Sequence, residues 1–314
     1  MKQIQVHQYG GPEVLQTVEV ENPQIDNWEV MVKVKYASAN PKDVLLRKGK
    51  LKAYLSISFP LTLGQDCSGV VVQVGKKVKD FRKGDHVYGM TNRHNNGTLS
   101  EYVKFLPNEI CHMPENLSFA EAASVPLTAQ TALQALKDIA KIKPGQRVCV
   151  NGASGGVGIF AVQIAKILGA KVTAVSSAKN KAFCLDLGAD RHVDYKAMPF
   201  EKWNSHFDVF FDVYGNQSSR KVRHLLPNKG WYITTVPNAK NIGDTILSYL
   251  KLKKSRLVVV ESHTSDLMLL KNWLEKNQLK TFIEAEYPVR EIAEVHQKLE
   301  TRRTVGKLVV KVGE

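Results

Sequence analysis

The sequence predicts an α/β protein in which a β-rich, barrel-like part is followed by a doubly wound parallel sheet. Short strand-like segments separated by Gly, Pro and Asp fill residues 1–117. From residue 118 onward, apolar strand-like segments alternate with helical ones, and repeated strand–helix units form parallel sheets covered on both faces. The 314 residues are enough for two such domains.

The β-rich part is predicted from alternation and turn residues. Residues 30–36 alternate apolar and polar side chains, as a half-buried strand does. Residues 69–74 are a Val-rich run, and the turn at residues 83–85 precedes a strand at residues 86–89. Residues 97–103 form another turn and strand. Short strands of this kind indicate a compact, barrel-like domain.

The second part begins at a recognisable helix start. Ser118, with Glu121 three residues later, forms a capping box, and residues 128–140 continue at helical spacing until Pro144 breaks the chain. Beyond this break, strands are predicted at residues 147–150, 171–175, 207–213, 231–236 and 257–260, and helices at residues 157–168 and 180–187. In the tail, helices are predicted at residues 264–276 and 289–300, and a closing strand at residues 307–312.

Composition and charge exclude several classes of protein. The net charge is +14, but Lys and Arg are spread along the chain, which favours a solvated basic surface over nucleic-acid binding. Their short clusters lack interleaved aromatics, an example being Lys251, Lys253, Lys254 and Arg256. The longest uncharged run, between Arg147 and Lys166, would span lipid poorly, and residues 1–11 lack the apolar segment of a secretory signal. A cytoplasmic protein is therefore expected.

The cysteines are too far apart in sequence for a C-x-x-C pair, which excludes zinc-ribbon and thioredoxin-like spacings. They are Cys67, Cys111, Cys149 and Cys184. Scattered cysteines of an intracellular chain are usually reduced and buried, so a structural role and no metal site are predicted.

A glycine-rich loop at residues 151–158, N-G-A-S-G-G-V-G, follows a predicted strand and opens a predicted helix. From Ala153 it reads A-x-G-x-x-G, which keeps the second and third glycines of the dinucleotide fingerprint. Gly155 lets the backbone approach a pyrophosphate, Gly158 lets the helix pack closely on the sheet, and the helix N-terminus offers free N–H groups. Cofactor contacts are therefore predicted at Ala153, Ser154, Gly155, Gly156 and Val157.

The end of the next strand distinguishes the two nicotinamide cofactors. NAD sites usually place Asp or Glu there, but residues 175–181 read V-S-S-A-K-N-K and contain no carboxylate. Hydroxyls and amines suit a 2′-phosphate, so NADP(H) is predicted, bound by Ser177 and by Lys179 or Lys181. Later strand ends are expected to contribute further contacts at Val213, Tyr214, Val236 and Pro237.

These residues, with several motifs elsewhere, resemble the zeta-crystallin-like quinone oxidoreductases and enone (alkenal) reductases of the medium-chain dehydrogenase/reductase superfamily. The resemblance covers nearly the whole chain. It rests on N-P-K-D at residues 40–43, L-G-Q-D-C-S-G at 63–69, K-G-D-H-V at 83–87, G-T-L-S-E-Y at 97–102, the loop at 152–158 and G-K at 306–307. It implies a GroES-like catalytic domain of residues 1–117 and 266–314, a Rossmann domain of residues 118–265, an active site in the cleft between them and a homodimer.

The resemblance also implies chemistry without zinc. Where the zinc-dependent branch has a cysteine ligand this chain has Asn40, and the His-Glu pair of that branch corresponds to Gln65 and Asp66. The lobe of four close cysteines is absent around residues 91–96. Because alcohol oxidation needs a Lewis acid, reduction of a quinone or a conjugated enone by hydride from NADPH is the expected reaction.

By the same resemblance, Asn40 is expected to act in catalysis as a contact to the substrate carbonyl or the ribose. Asp43 would bind substrate or support the same loop, and Leu45 replaces a tyrosine found in bacterial quinone reductases. Thr131 would contact the nicotinamide or its ribose, and Tyr195 would help hold the 2′-phosphate. His86, His94 and His263 are isolated in sequence and are read as structural or exposed.

Two alternatives remain open from the sequence. One is an enoyl-thioester reductase or a broad aldehyde/alcohol dehydrogenase. The other belongs to a different class, a catalytically silent protein that senses a dinucleotide or binds nucleic acid. An intact phosphate loop favours retained cofactor binding but does not establish turnover, because fold alone does not fix function.

Overall fold

A computed structural model describes residues 1–250 and 254–313, and the chain separates into two compact units. Unit 1 comprises Met1–Leu127, Glu261–Asn277 and Thr281–Glu314, and unit 2 comprises Thr128–Val260 and Gln278–Lys280. Unit 1 thus continues past residue 117 and resumes at Glu261 rather than at residue 266. Lys251 and Lys253 of the basic cluster lie outside the described residues.

The strands, in chain order, are β1 (Lys2–Val6), β2 (Gln16–Glu19), β3 (Val30–Ala39), β4 (Leu61–Thr62), β5 (Asp66–Val74), β6 (His86–Met90), β7 (Tyr102–Phe105), β8 (Ile110–His112), β9 (Arg147–Asn151), β10 (Lys171–Ser176), β11 (Arg191–Asp194), β12 (Val209–Asp212), β13 (Trp231–Thr234), β14 (Ser255–Leu257), β15 (Ile283–Pro288) and β16 (Lys307–Lys311). The α-helices are α1 (Pro41–Arg47), α2 (Phe119–Ala123), α3 (Pro126–Leu133), α4 (Gly156–Ile167), α5 (Lys181–Asp186), α6 (Ala239–Tyr249), α7 (Thr264–Glu275) and α8 (Ile292–Glu300).

Unit 1 is built on a β-rich core, as the sequence predicts. Its larger sheet has the order β15-β16-β3-β5-β6-β8, with β7 also paired to β3, and a smaller sheet has the order β2-β1-β4. The alternation at residues 30–36 does form a strand, in which Val30, Val32 and Val34 are fully buried. Of residues 97–103, only the last two are in β7. The late strand β16 pairs antiparallel with β3, which brings Lys307 beside the start of α1.

Unit 2 is a doubly wound α/β unit, which confirms the predicted fold class. Its strands pair in the order β11-β10-β9-β12-β13-β14, and every neighbouring pair is parallel. The strand expected at residues 257–260 instead ends at Leu257, and α6 was not predicted; nor was β15 in unit 1. Helix α4 buries Ile159, Phe160 and Ala161 completely, which accounts for its apolar sequence.

The segment after residue 117 explains where unit 1 ends. The predicted capping box forms, since the Glu121 N–H donates to Ser118 Oγ at 3.3 Å and the Ser118 N–H donates to Glu121 Oε2 at 2.9 Å. Helix α2 packs on β3 and β5, and the Leu127 N–H donates to Asp66 Oδ2 at 3.2 Å. These contacts hold residues 118–127 to unit 1, so the boundary lies later than the capping box suggests.

The four cysteines lie in the interior of the protein. Cys67, Cys111, Cys149 and Cys184 are buried free thiols, and burial raises the pKa of each of them. Within residues 1–250 and 254–313, no helix is long and apolar enough to cross a membrane.

Candidate functional site

The glycine-rich loop connects β9 to α4 at the edge of the unit 2 sheet where the parallel strands end. Gly152 adopts φ +91°, a conformation that glycine reaches without strain. The N–H groups of Gly152 and Ala153 both donate to the Val175 carbonyl oxygen at 3.0 Å, which ties the loop to β10. The loop is therefore held in place by protein contacts alone.

Two glycines of the loop are needed for different reasons. A Cβ on Gly158 would lie 2.1 Å from the Gly152 carbonyl oxygen, so the fold itself demands glycine there. Gly155 has an ordinary φ of −85°, and among the described residues a Cβ would meet only the Gly152 carbonyl oxygen, at 3.6 Å. No described residue requires glycine at residue 155, whereas a diphosphate approaching the N-terminus of α4 would.

The predicted 2′-phosphate residues lie together beyond β10 and β11. Ser177 follows β10, and Asn180 Nδ2 donates to Ser154 Oγ at 2.9 Å, which links this turn to the phosphate loop. The Tyr195 N–H donates to the Ser176 carbonyl oxygen at 3.3 Å. The side chains of Lys179, Lys181 and Tyr195 are exposed. Hydroxyl and ammonium groups are thus available to an anion at this edge.

A carboxylate also lies at this edge, and sequence reasoning missed it. Asp194 ends β11 directly beside Ser176 of β10, and its Oδ1 accepts the Lys196 N–H at 3.1 Å. Ser176 Oγ hydrogen bonds to His192 Nε2 at 2.9 Å. Burial lowers the pKa of this imidazole, the Asp194 charge opposes the shift, and Lys181 adds a smaller lowering. The prediction considered the end of β10 alone, while the parallel pairing adds the end of β11.

The later strand ends are organised by a buried carboxylate. Asp212 accepts hydrogen bonds from Asn151 Nδ2 at 2.7 Å and from the Tyr232 hydroxyl at 2.9 Å. The N–H groups of Val213 and Tyr214 donate to the Asn151 carbonyl oxygen at 3.0 and 3.1 Å. These contacts fix β12 against β9 at the edge of the sheet that carries the glycine-rich loop. Asp212 was not singled out from the sequence, since its role needs the strand pairing.

The remaining predicted cofactor residues lie after β13, on α3 and at the start of α4. Val236 and Pro237 follow β13 and are partly exposed, and the Val236 carbonyl oxygen already accepts Asn241 Nδ2 at 2.9 Å. Thr131 is on α3 and is 4% exposed. Gly156 and Val157 begin α4 beside Gly155. Cofactor binding by these residues stays a prediction.

A buried polar cluster in unit 1 contains the predicted substrate residues. Asn40 Nδ2 donates to Asp66 Oδ1 at 2.9 Å and to the Ser38 carbonyl oxygen at 3.1 Å, and Asn40 Oδ1 accepts from Lys307 Nζ at 2.6 Å. The exposed fraction of Lys307 is 3%, and Asn40 and Asp66 are completely buried. Sequence analysis noted Lys307 as part of a motif but gave it no role. A contact from Asn40 to substrate stays a prediction.

Asp43 belongs to the same cluster and supports the loop around Asn40. Its carboxylate accepts the Asn40 N–H at 2.8 Å and the Gly64 N–H at 3.2 Å. Burial raises the pKa of Asp43 to about 6, and the nearby Asp66 charge adds to this, while the backbone N–H groups and Lys307 oppose it. Two carboxylates and one ammonium therefore share a site from which water is excluded.

The raised pKa of Asp43 predicts a pH dependence of stability. The folded chain holds this proton more tightly than the unfolded chain, so stability is greatest below pH 4 and falls as the pH rises to about 6. The expected loss is about 3 kcal/mol for a shift of this size. Denaturant unfolding of the wild type and of Asp43→Asn across pH 4–8 measures it. The difference between the two isolates Asp43, and a pH-independent difference would contradict the assignment.

The chain is similar to known proteins over most of its length. Residues 26–115 match the model of the alcohol dehydrogenase GroES-like domain, and residues 187–310 match that of a zinc-binding dehydrogenase. The human mitochondrial NAD(P)H oxidoreductase RTN4IP1 is 38% identical over 74% of this chain and 64% of its own length. The 2-methylene-furan-3-one reductase of Solanum lycopersicum is 34% identical over 96% of this chain and 76% of its own.

Solved structures show the same relationship. The quinone oxidoreductase of Coxiella burnetii is 31% identical, with a TM-score of 0.90 over 100% of this chain and 99% of its own. The Escherichia coli quinone oxidoreductase, solved with NADPH, is 25% identical, with a TM-score of 0.84 over 99% of this chain and 100% of its own. The chain belongs to the medium-chain dehydrogenase/reductase family. Within that family it is similar to quinone oxidoreductases and enone reductases, and it is an oxidoreductase.

One of the matching family models is described as zinc-binding, and the residues present do not fit zinc. The positions of two zinc ligands in the zinc-dependent branch hold the neutral amides of Asn40 and Gln65, whereas zinc prefers thiolate, imidazole and carboxylate. The ammonium of Lys307 lies 2.6 Å from Asn40 Oδ1, where it would repel a cation. In the part of the chain that the structure describes, no three His, Cys, Asp or Glu side chains group together.

Proposed function

We propose that this medium-chain dehydrogenase/reductase catalyses zinc-independent, NADPH-dependent reduction of a quinone or an α,β-unsaturated carbonyl compound. The observation that carries the proposal is the cofactor edge of unit 2. There, free space at Gly155 adjoins a turn with two exposed lysines and no carboxylate on β10. The names of the similar quinone and enone reductases agree with this reaction class.

NADPH is proposed over NADH because of charge and hydrogen bonding. Ser177 offers a hydroxyl, and Lys179 and Lys181 offer ammonium groups that would form charge-assisted hydrogen bonds with a 2′-phosphate. Asp194 opposes this preference, but its Oδ1 accepts a backbone N–H. Tyr195, anchored through its N–H to β10, would cover the phosphate from the other side.

The amides of Asn40 and Gln65 do not suit a metal ion that would act as a Lewis acid. Reduction of an electron-poor acceptor does not need one. When bound, NADPH supplies a hydride to the electrophilic carbon of the acceptor. The protein positions the reactants and keeps water away from them. The glycine-rich loop would orient the cofactor, and the buried cluster of Asn40, Asp66 and Lys307 fixes the local structure of unit 1. Polarisation of a saturated alcohol would need a metal, which this donor set does not favour.

The reaction is tested by the loss of NADPH absorbance with a panel of acceptors. The panel contains a 1,4-quinone, a short 2-alkenal, a saturated aldehyde and an enoyl thioester, with an alcohol plus NADP⁺ as the reverse test. Chelator-insensitive turnover of quinone or alkenal is expected. Preference for the enoyl thioester would contradict the proposal in favour of an enoyl-thioester reductase. Chelator-sensitive oxidation of the alcohol would contradict it in favour of an alcohol dehydrogenase. NADPH binding without any turnover would indicate a dinucleotide sensor.

Replacement of the two lysines tests the cofactor preference. At least one of Lys179→Ala and Lys181→Ala is expected to raise the KM for NADPH up to about tenfold, since one charge-assisted hydrogen bond is worth roughly 1.5–3 kcal/mol and part of it is lost to solvent. The KM for NADH should stay unchanged. Lys171→Ala is the control, because Lys171 is exposed at the opposite end of β10. Equal effects on NADPH and NADH would exclude a 2′-phosphate contact.

We further propose a cytoplasmic homodimer. Four buried free thiols suit a reducing compartment, although the human relative is named mitochondrial. In the described part of unit 2, β14 is an edge strand of the sheet and could pair with a second copy. Sedimentation equilibrium gives the mass in solution, and a monomer at micromolar concentration would contradict the dimer.

A further inference from the structure

Helix α6 of unit 2 buries polar side chains and exposes apolar ones. Its buried residues are all polar, namely Asn241, Asp244 and Ser248. The large apolar side chains of its last turns and C-terminal end are 40–68% exposed, and they are those of Ile246, Leu247, Tyr249 and Leu250. A surface helix ordinarily shows the opposite arrangement, with its apolar stripe against the core. The polar contacts of α6 and its exposed apolar side chains therefore both need an explanation.

Hydrogen bonds to the rest of unit 2 explain why the polar side of α6 is buried. Asp244 Oδ2 accepts from the Ser219 hydroxyl at 2.7 Å and from the Ser255 hydroxyl at 3.3 Å. The Leu257 N–H donates to Thr245 Oγ1 at 2.8 Å, which joins α6 to β14. If α6 rotated to bury its apolar side chains, these buried groups would lose their partners, which is costly. The apolar side of α6 is thus held outward by the fold.

The exposed apolar side chains of α6 form one continuous stripe. Ile246, Tyr249 and Leu250 are spaced at i, i+3 and i+4, which places them on one face of a helix, and Leu247 adjoins Ile246 and Leu250. Single exposed apolar residues are common on protein surfaces, whereas a contiguous group marks an interaction site. The stripe therefore indicates a partner with an apolar component.

Basic residues lie next to this stripe, and acidic ones do not. Lys240 on α6 and Lys254 before β14 are exposed, and the guanidinium carbon of Arg256 lies 4.2 Å from the centre of the Tyr249 ring. The sequence contains no Asp or Glu from residue 245 to residue 260. We call the stripe together with these three basic residues the α6 face. Its chemistry is apolar and cationic, which complements an apolar and anionic partner.

We propose that the α6 face binds the surface of an anionic lipid membrane. The apolar side chains would enter the boundary between headgroups and acyl chains, while the ammonium and guanidinium groups remain at the level of the lipid phosphates. Tyr249 suits this depth, because its ring is apolar and its hydroxyl is polar. Contact of this kind lies along the membrane surface and needs no spanning helix.

A second copy of the chain fits the α6 face less well. A two-fold contact would bring Lys240, Lys254 and Arg256 of both copies into one interface. Asp244 is the nearest acidic residue in sequence, and it is buried and hydrogen bonded within unit 2. The face therefore has no exposed carboxylate of its own to balance these cations. Anionic lipids supply the missing negative charge.

Replacement of two apolar residues tests the proposal by co-sedimentation with vesicles. The wild type is expected to bind vesicles of phosphatidylcholine and phosphatidylserine at least about tenfold more tightly than vesicles of phosphatidylcholine alone. Ile246→Gln combined with Leu250→Gln should weaken binding to the anionic vesicles at least about tenfold. Met268→Gln is the matched control, since Met268 is 59% exposed on α7 of unit 1, and it should change binding less than about twofold.

Replacement of basic residues tests the charge of the α6 face separately. Lys240→Gln combined with Lys254→Gln should weaken binding to the anionic vesicles about 10–25-fold, since each basic residue near such a surface contributes about fivefold. Lys171→Gln combined with Lys311→Gln removes the same net charge from exposed positions elsewhere and should have little effect. An equal loss in the two pairs would assign binding to the net charge of +14 and overturn the proposal.

The other outcomes are equally decisive, and none depends on the proposed reaction, because vesicle binding is measured without cofactor or acceptor. Failure of the wild type to bind anionic vesicles would overturn the proposal. If the pair Ile246→Gln and Leu250→Gln instead turns a dimer into a monomer and leaves vesicle binding unchanged, the α6 face belongs to a second copy. Leu247→Gln combined with Leu250→Gln repeats the test in case the first pair lowers the melting temperature.

Discussion

Gly158→Ala is expected to destabilise the protein strongly, whereas Gly155→Ala should leave stability nearly unchanged and abolish tight NADPH binding. A Cβ at residue 158 would lie 2.1 Å from the Gly152 carbonyl oxygen, so the loop or α4 must shift. Overpacking of this kind costs about 3 kcal/mol, or a fall of about 5–10 °C in melting temperature. At residue 155 the nearest described atom is 3.6 Å away, so the methyl group would meet the cofactor instead.

Differential scanning fluorimetry and NADPH titration of both variants measure these effects. Gly155→Ala should raise the Kd for NADPH by about 10–100-fold, the equivalent of one or two charge-assisted hydrogen bonds to the pyrophosphate. Gly243→Ala is a control, since Gly243 lies in α6 with open space around its Cβ position. Unchanged NADPH affinity in Gly155→Ala would mean that the pyrophosphate does not approach this loop.

Lys307→Met is expected to cost about 3–5 kcal/mol, the usual effect of removing one member of a buried charged cluster. Lys307 is fully buried, donates to Asn40 at 2.6 Å and lowers the pKa of both Asp43 and Asp66. Without it, both carboxyls bind protons more tightly, so the loss of stability should grow as the pH rises from 5 to 8. Because the chain has two compact units, hydrogen exchange of unit 1 amides is the appropriate measurement.

Two further variants distinguish lost charge from lost packing. Lys311→Met removes an exposed lysine from the same strand and should change stability by less than about 0.5 kcal/mol. Asp66→Asn combined with Lys307→Met removes a carboxylate together with its counter-charge. The double variant is therefore expected to be more stable than Lys307→Met alone. Equal stability of the double variant and of Lys307→Met would show that Lys307 does not stabilise the protein by balancing the charge of Asp66.

The features that the sequence predicted well depend on neighbours in the chain. The glycine-rich loop at residues 151–158 was correctly placed between a strand and a helix, because its glycines and these two elements are adjacent in sequence. The capping box of Ser118 and Glu121 was predicted for the same reason. The alternation at residues 30–36 was sufficient for β3, since one face of that strand is buried. Local patterns of this kind are visible before any tertiary contact is known.

The features that could not be predicted from the sequence depend on residues that lie far apart in it. The hydrogen bonds that join the Asn40 amide to Lys307 and Asp66 could not be predicted, because these residues lie far apart in the sequence. The carboxylate of Asp194 becomes relevant only through the register that places it beside Ser176. Strand β15 lies at one edge of its sheet and ends at Pro288, so its short polar-apolar pattern was too weak to recognise.

The position of β16 has a consequence for biosynthesis. This strand pairs with one side of β3, yet it follows unit 2 in the chain, so the ribosome completes residues 128–260 before this neighbour of β3 emerges. Domains generally fold as units during translation. Unit 2 can thus mature early, while the nascent sheet of unit 1 must wait with Asp43 and Asp66 lacking the lysine that balances them. For this chain, the late arrival of Lys307 delays completion of unit 1 until residues 128–260 have been synthesised.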